Sequence, residues 1–359
     1  MAHVPPPHCP SLPHCPSLPP ELWIRILTYN TDLTHLWTAC RHVSRTFRAY
    51  TEQVFAESVV RNTYIDFHLE KYNLGGKSKR PEIPTSFQRF ELGVKLEDGG
   101  RDRTAVWFRD KRRKGDIAGG KKKEYNRMMG RWEDNITGLK PQMPNYTIRV
   151  GTLVNDTALP DLVSNISDRE ISFDWRCMYT LFFREQALLR HLKSEWQTDV
   201  AAKIKSNNER LSKREKLCIA DYPPAWPVAE IEMRKRIRRK RLAEYYADNE
   251  EMVWAIDSLK HFENHGASSG SGKAFKLNPD LPGAGLGEKW FGSVNLVQEL
   301  YLDEWSCMHR IDTKVEHLRG EEEFPRYSVP PPDLKDEGRS PPPSYFLPVS
   351  GAGLGVAPG

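Results

Sequence analysis

Four side chains near the start of the chain have the chemistry of metal ligands. His8, Cys9, His14 and Cys15 stand at matching places in a hexapeptide, HCPSLP, that occurs twice in succession. Thiolate sulfur and imidazole nitrogen are the usual zinc ligands, so the two His-Cys pairs suggest a metal site. A duplicated, proline-stiffened hexapeptide of low complexity explains the recurrence without any demand for ligands, and we prefer that interpretation. The sequence therefore predicts no metal here.

A second segment matches a phosphate-binding loop only in part. In the stretch GASSGSGKAF, Gly272 and Lys273 fit the end of the motif. Ala267 stands where the motif needs its first Gly, and Ala274 replaces the Ser or Thr that would hold magnesium. The composition is typical of a flexible linker, which we place at residues 264–288. No cofactor is predicted.

Some pairs of side chains could act as nucleophile and acid or base, but their spacing and surroundings do not indicate a catalytic site. Cys307 and His309 are two positions apart, and on a helix only spacings of three and four bring side chains together. Asp303 and Cys307 do meet, but this pair lacks a cationic partner and the number of ligands that a site requires. A Cys-His pair assembled by folding stays open. We predict that the chain is not an enzyme.

Composition indicates a partly solvated, intracellular chain. Apolar residues make up 38% of the 359 residues, and 17 of the 27 prolines fall in the first 20 and last 40 positions. We therefore predict disordered segments at 1–17 and 319–359. The net charge of +5 balances 53 basic against 48 acidic residues and selects no partner class. Six cysteines without a CxxC pair are typical of a reducing compartment, and we see no signal peptide or membrane span. We expect the nucleus, the cytoplasm or both.

The helices that could carry a functional surface begin at residue 18. The stretch 18–60 predicts three short amphipathic helices. Pro19 and Pro20 preset the backbone at the first helix entrance, and Leu22 and Ile26 stack one turn apart. Ser44 is the predicted N-cap of the third helix, which carries apolar residues inward. A module of about 40 residues buries too little surface to fold alone, so it must pack on the body or on a partner.

The opening LPPELWIRIL, the amphipathic helix after it and the segment VSRTF together resemble an F-box. That resemblance implies a docking element for a Skp-type adaptor in a cullin-RING ubiquitin ligase. The passage around 155–176 and the segment WFGSVNLVQELYLDEWSCMHRIDTKVEHLRG are similar to fungal F-box proteins of unassigned role. The chain would then be a non-catalytic substrate-receptor subunit of an SCF-type ligase. Its partners would be the adaptor, the cullin-RING core through it, and an unknown target protein.

The resemblance also implies which residues form or support the docking surface. These are Leu18, Pro19, Leu22, Ile26, Leu27, Leu33, Leu36, Val43 and Phe47. The receptor would act by tethering, which raises the effective concentration of the target's lysines near the conjugating enzyme. An N-terminal three-helix cap packed on the body, without an outside partner, is the competing interpretation of the same stretch.

Residues 61–318 are predicted to form the target-binding body, in a fold that is α+β and mostly helical. A hairpin is expected from the alternation Phe90, Leu92, Val94, Leu96 and from a second strand at 104–108, and a third strand is expected over 146–154. Together these predict a small antiparallel sheet. Long helices are expected over 173–200, 228–262 and 296–318.

Two basic clusters invite a different function. A loop at 109–123 carries eight Lys or Arg residues, and RKRIRRKR at 234–241 has seven basic residues in eight. The second cluster could be an import signal or a nucleic-acid surface, and the plainer interpretation is a solvated helix face balanced by Asp248, Glu250 and Glu251. Aromatic residues are not interleaved with the loop, so we consider nucleic acid an unlikely partner. The alternative function is a nuclear basic-helix binding protein whose N-terminal helices are only structural.

Overall fold

A computed structural model describes residues 18–70, 82–91, 105–112, 122–265 and 289–323. The chain divides into two compact units, residues 1–318 and 319–359. All side-chain contacts named below belong to the first unit. The expected disordered N-terminus, the His-Cys pairs and most of the 264–288 linker lie outside the described residues. The prediction of disorder over 319–359 is wrong for its first five residues, because α9 continues to Glu323, and the rest of that segment lies outside the described residues.

Helices dominate the described part of the chain, as predicted. They are α1 (Pro20–Thr28), α2 (Leu33–His35), α3 (Arg41–Val43), α4 (Arg45–Val54), α5 (Lys122–Thr137), α6 (Trp175–Ser212), α7 (Trp226–Tyr245), α8 (Glu250–His265) and α9 (Lys289–Glu323). Two π-helical turns, Leu36–Cys40 and Phe55–Val59, continue α2 and α4. Short 3₁₀ turns follow at Val60–Asn62 and Ile219–Asp221.

Within the described ranges, seven strands form one antiparallel sheet. They are β1 (Thr63–His68), β2 (Glu82–Phe90), β3 (Ala105–Asp110), β4 (Tyr146–Val150), β5 (Leu153–Asn155), β6 (Val163–Asn165) and β7 (Glu170–Asp174). Their order across the sheet is β5-β4-β1-β2-β3-β7-β6. The predicted α+β class, mostly helical with a small antiparallel sheet, is confirmed.

Local capping explains where the N-terminal helices begin. Pro19 precedes α1, which has Pro20 at its first position and Glu21 in its first turn. Asp32 caps α2 by accepting a bond from the His35 amide at 2.9 Å. The Ser44 hydroxyl accepts from the amide of Phe47 at 3.1 Å, which confirms it as the N-cap of α4.

One aromatic cluster joins the N-terminal helices to the body. The Trp37 ring lies 4.6 Å from Phe55 and 5.5 Å from Tyr179 of α6, between ring centroids. Trp175 and Phe183 complete the cluster. Leu27 and Leu36 belong to the same buried core as the inner faces of β1, β3, β4 and β7. The N-terminal helices therefore share a core with the sheet and with α6.

Strand positions depart from the prediction in two places. The first hairpin strand is β2, earlier in the chain than expected, while Leu92, Val94 and Leu96 lie outside the described residues. The third strand is wrong as one continuous element, because Gly151 adopts a left-handed φ of 60° and turns the chain between β4 and β5. Residues 109–123 are less of a loop than predicted, since Arg109 lies in β3 and Lys122 opens α5.

Helix boundaries also differ from the prediction. The Asp174 carboxylate accepts from the amides of Arg176 and Cys177 at 2.8 and 3.0 Å, so α6 starts after Phe173, and it runs on to Ser212. The single helix expected over 228–262 is two helices, α7 and α8. The Asn249 side chain accepts from the Met252 amide at 3.1 Å and so starts α8.

Candidate docking surface

Helix α1 exposes an apolar stripe on one side. Leu22, Ile26 and Tyr29 are 46%, 49% and 72% exposed. Their spacing of four and three places them in one row along the helix. Val43, at the end of α3, is 67% exposed. Side chains of this kind, exposed on a short helical module, are typical of a surface that a partner covers.

The other side of α1 holds the helix in place. Leu27 is buried in the core shared with the sheet. The Trp23 ring packs on Phe47 of α4 with 5.1 Å between centroids. The exposed stripe therefore sits on a helix whose orientation is fixed from behind.

The nine predicted site residues divide between these two roles. Pro19, Leu22, Ile26 and Val43 are exposed, Leu18, Leu33 and Phe47 are half-buried, and Leu27 and Leu36 are buried. The exposed members can touch a partner, whereas the buried ones can only support the helices that carry them. Tyr29, which the prediction omitted, belongs to the exposed stripe. Its spacing of three from Ile26 was the signal that could have found it.

Two ion pairs, Asp32 with Arg190 and Glu52 with Arg176, fix the N-terminal helices to α6. The Asp32 carboxylate accepts two bonds from the Arg190 guanidinium, at 2.8 and 3.0 Å. The hydrogen bonds from Arg190 lower the pKa of Asp32 below its ordinary value. Glu52 bonds both Arg41 and Arg176, at 2.9 and 2.8 Å. The N-terminal helices and the body must therefore move together.

The basic cluster at 234–241 is not the solvated helix face that its composition suggested. Arg238 is 2% exposed and bonds Asp156, itself 3% exposed, and Arg241 bonds the same carboxylate at 2.8 Å. Burial alone raises the pKa of Asp156, but the charges of the two arginines outweigh it and hold the pKa at about 2. The acidic partners of the cluster are Asp156, which directly follows β5, and glutamates of α6, α7, α8 and α9, not Asp248, Glu250 and Glu251.

Further pairs complete this network. Arg234 bonds Glu230, Arg239 bonds Glu304, Lys235 bonds Glu263, and Arg241 also bonds Glu185. Five of the seven cations in the cluster are therefore neutralised by carboxylates. Arg236 and Lys240 remain exposed. The network ties α7 to four other elements and is first of all structural.

A groove of about 560 Å³ opens where α5, α6 and α7 meet the sheet. Its walls are mainly apolar and include Leu139, Leu159 and Leu162. Arg184 and Glu244 line it at the surface and form a weak pair, 3.4 Å apart and more than half exposed. The volume lies within the range of small-ligand and side-chain pockets. No local pattern indicated this groove, because its lining comes from segments far apart in the chain.

The described residues hold no group of three or more His, Cys, Asp or Glu arranged for a metal. Cys307 is 1% exposed, and burial raises the pKa of its thiol. His309 is exposed and stacks on Trp305 with ring centroids 5.5 Å apart. The two residues therefore face different surroundings, as their spacing predicted.

Comparison with protein-family models, with curated proteins and with solved structures finds no match to this chain. Across the ranges described, none of the helices combines the length and apolar character that crossing a bilayer requires.

Proposed function

We propose that this chain is the substrate-receptor subunit of an SCF-type cullin-RING ubiquitin ligase, docked to a Skp-type adaptor through α1 to α4. The observation that carries the proposal is the exposed stripe of Leu22, Ile26 and Tyr29 on a rigidly held α1. A helical cap that only closed the body would be expected to present polar side chains to water on that side.

The energetics favour a patch of several apolar anchors. Each aliphatic side chain of this size contributes roughly 1.5 to 3 kcal/mol when it is fully buried. Association costs about 4 to 15 kcal/mol in lost freedom. Several anchors are therefore needed, and the loss of two of them should be enough to release the adaptor.

The fixed geometry of the N-terminal helices supports a tethering role. Asp32 to Arg190 and Trp37 to Tyr179 join the docking helices to α6 through an ion pair and a ring contact. A target bound to the body would then be held at a defined position relative to the adaptor. No bond-making group of this chain is required, because tethering acts by effective concentration.

The alternative, a nuclear basic-helix binding protein, needs free cations at 234–241. Arg238 and Arg241 lie instead in a carboxylate network, and Arg236 and Lys240 are the exposed members of the cluster. This pairing favours the receptor over the nucleic-acid binder. The import role of the cluster stays a prediction.

Co-purification tests the proposal directly. The full chain is expressed with a Skp-type adaptor and a cullin, and the wild type should bring down both. Leu22→Asp with Ile26→Asp should remove them while the protein stays folded, because both side chains are already half exposed. A matched control is Ile204→Asp with Leu211→Asp, which changes two residues on α6 that are 46% and 51% exposed and should leave capture intact.

Three outcomes are informative. Capture of adaptor and cullin by the wild type and the α6 variant, but not by the α1 variant, supports the receptor. Capture of the adaptor alone restricts the role to an adaptor-bound protein outside the ligase. Capture of neither by the wild type overturns the proposal.

A further inference from the structure

The side of the sheet that faces away from α6 carries a line of polar residues across five strands. Arg149 of β4 stands opposite Tyr64 of β1, which stands opposite Ser86 of β2. Ser86 stands opposite Arg109 of β3, which stands opposite Glu170 of β7. Directly paired residues in a sheet point to the same side, so these five form one row.

A second pair of residues lies next to this row, on the same side of the sheet. Arg89 of β2 lies opposite Trp107 of β3, and its guanidinium sits 4.8 Å from the Trp107 ring centroid. We call the surface made by Arg89, Trp107 and the row from Arg149 to Arg109 the arginine face. The side chains of Arg89 and Arg109 are 50% and 39% exposed.

The charges on the arginine face do not cancel. Arg89 and Arg109 share the single carboxylate of Glu170, at 2.8 and 2.7 Å, and that carboxylate is 2% exposed. Two cations on one anion leave one positive charge in excess. Arg149 lies 4.4 Å over the Tyr64 ring and bonds no carboxylate within the described residues. A second positive charge therefore stands at the other end of the row.

Helix α9 covers the parts of the sheet that border the row. Val154 of β5, which stands opposite Arg149, packs in one apolar cluster with Cys307 and Ile311 of α9. Lys314 bonds Asp66 at 2.9 Å and Glu82 at 2.8 Å, next to the buried His68. Asp66 and His68 point to the same side as Tyr64, two and four positions further along β1. The described part of α9 therefore screens the β5 edge and the His68 end of this side of the sheet, while Tyr64 remains 37% exposed.

We propose that the arginine face binds an extended acidic segment of the target protein through carboxylate contacts to Arg149 and to the Arg89 and Arg109 pair. Guanidinium groups form strong charge-assisted hydrogen bonds with carboxylates. The inference rests on the proposed function only in naming the segment as part of a target.

The state of the aromatic rings favours a peptide over single-stranded nucleic acid. Sequence-tolerant binding of single strands relies on bases stacking on exposed aromatic faces. Here the rings of Tyr64 and Trp107 already carry the guanidiniums of Arg149 and Arg89. A base would have to displace these contacts, whereas a carboxylate can approach the free edges of the guanidiniums.

The sheet geometry sets the spacing of the acidic groups. Arg149 and Arg109 are separated by three strand steps of about 4.8 Å, which makes roughly 14 Å. An extended chain covers about 3.3 to 3.6 Å per residue, so acidic side chains about four positions apart fit the two ends of the row.

Fluorescence anisotropy with the full chain and without adaptor tests the inference. The probe is a fluorescein-labelled peptide with Glu pairs four positions apart in a Ser/Gly background. Its controls are the same peptide with Gln in place of Glu, and one with all Glu residues adjacent. We expect saturable binding of the first peptide, none of the Gln peptide, and weaker binding of the adjacent-Glu peptide.

Variants locate the binding on the face. Arg149→Gln and Arg89→Gln should each weaken the Kd by roughly three- to tenfold, in line with the loss of one charged contact. Arg184→Gln removes an exposed charge on α6, away from the face, and should leave the Kd unchanged. Thermal melting checks that each variant is folded.

Several results would overturn the inference. These are the absence of saturable binding, equal weakening by Arg184→Gln, or tighter binding of a single-stranded oligonucleotide of equal charge that the two face variants abolish. The last result would assign the face to nucleic acid. Because the assay contains no adaptor, failure here leaves adaptor capture untouched, and loss of adaptor capture leaves peptide binding untouched.

Discussion

The indole nitrogen of Trp37 donates a hydrogen bond to the Thr180 hydroxyl of α6 over 3.3 Å. The two residues are 143 positions apart in the chain, and Trp37 is 2% exposed. This contact, with the ring cluster around it, makes the N-terminal helices part of the body. The N-terminal helices are therefore not an independent unit joined by a linker.

Trp37→Ala should destabilise the protein by roughly 3 to 5 kcal/mol, because it empties the centre of the aromatic cluster. Thr180→Val removes only the hydrogen bond and should cost about 1 kcal/mol. Chemical denaturation followed by circular dichroism measures both. Equal, small effects of the two variants would contradict a core shared between the helices and α6.

Leu27→Ala and Leu22→Ala separate the supporting residues from the exposed ones. Leu27 is 5% exposed, so its truncation should cost roughly 2 to 5 kcal/mol of unfolding free energy. Leu22 is 46% exposed, and its truncation should stay within about 0.5 kcal/mol of the wild type. Denaturant midpoints measure both changes. A large loss of unfolding free energy in Leu22→Ala would show that this side chain is buried in the fold.

Asp156 should make the protein sensitive to acid. Its pKa of about 2 lies below the value of about 3.9 expected in the unfolded chain. A lowered folded-state pKa contributes stability that is present above the unfolded value and is lost as pH falls towards 2. We expect an acid transition that steepens below about pH 5, with a contribution on the order of 2 kcal/mol from this group.

Asp156→Asn tests that assignment. The substitution leaves Arg238 and Arg241 without their shared charge and should cost roughly 3 to 5 kcal/mol at neutral pH. It should also flatten the dependence of stability on pH below pH 5. Asp199→Asn, at an exposed position of α6, is the matched control and should change neither. Unchanged acid sensitivity in Asp156→Asn would assign the transition to other carboxylates.

Three of the four cysteines in the described residues, Cys177, Cys218 and Cys307, carry a prediction about reactivity. Cys307 is buried and burial raises its thiol pKa, so iodoacetamide should modify it only after unfolding. Cys177 is exposed, but a hydrogen bond to Asp174, together with partial burial, raises its pKa. Cys218 is exposed.

Mass spectrometry of the labelled native protein should therefore find the exposed Cys177 and Cys218 modified before the buried Cys307. Asp174→Asn should accelerate Cys177 and leave Cys218 unchanged. Rapid native labelling of Cys307 would show that the core around α9 opens.

Local signals determined much of the fold at the level of single elements. The start of α1 at Pro20 and the Ser44 cap depend on contacts within four residues, so they can be recognised from the sequence. The apolar faces of α1 and α6 follow the same rule. Strand β1 was not predicted, although Ile65 and Phe67 alternate with Asp66 and His68, because six residues that directly continue a helical segment are too short a signal to separate a strand from a helix.

The tertiary structure alone decided what the charged residues do. Arg238 and Asp156 are 82 positions apart, and nothing near Arg238 in the sequence distinguishes a buried, paired cation from a solvated one. The arginine face likewise exists only because β4, β1, β2, β3 and β7 pair in one register. The spacing of its apolar residues predicts the stripe along α1. Which side of the helix stays exposed, and which side is buried with Leu27, depends on the body against which the helix packs. Periodicity and capping are encoded over one helical turn, whereas ion pairs and sheet faces depend on which distant segments the core brings together.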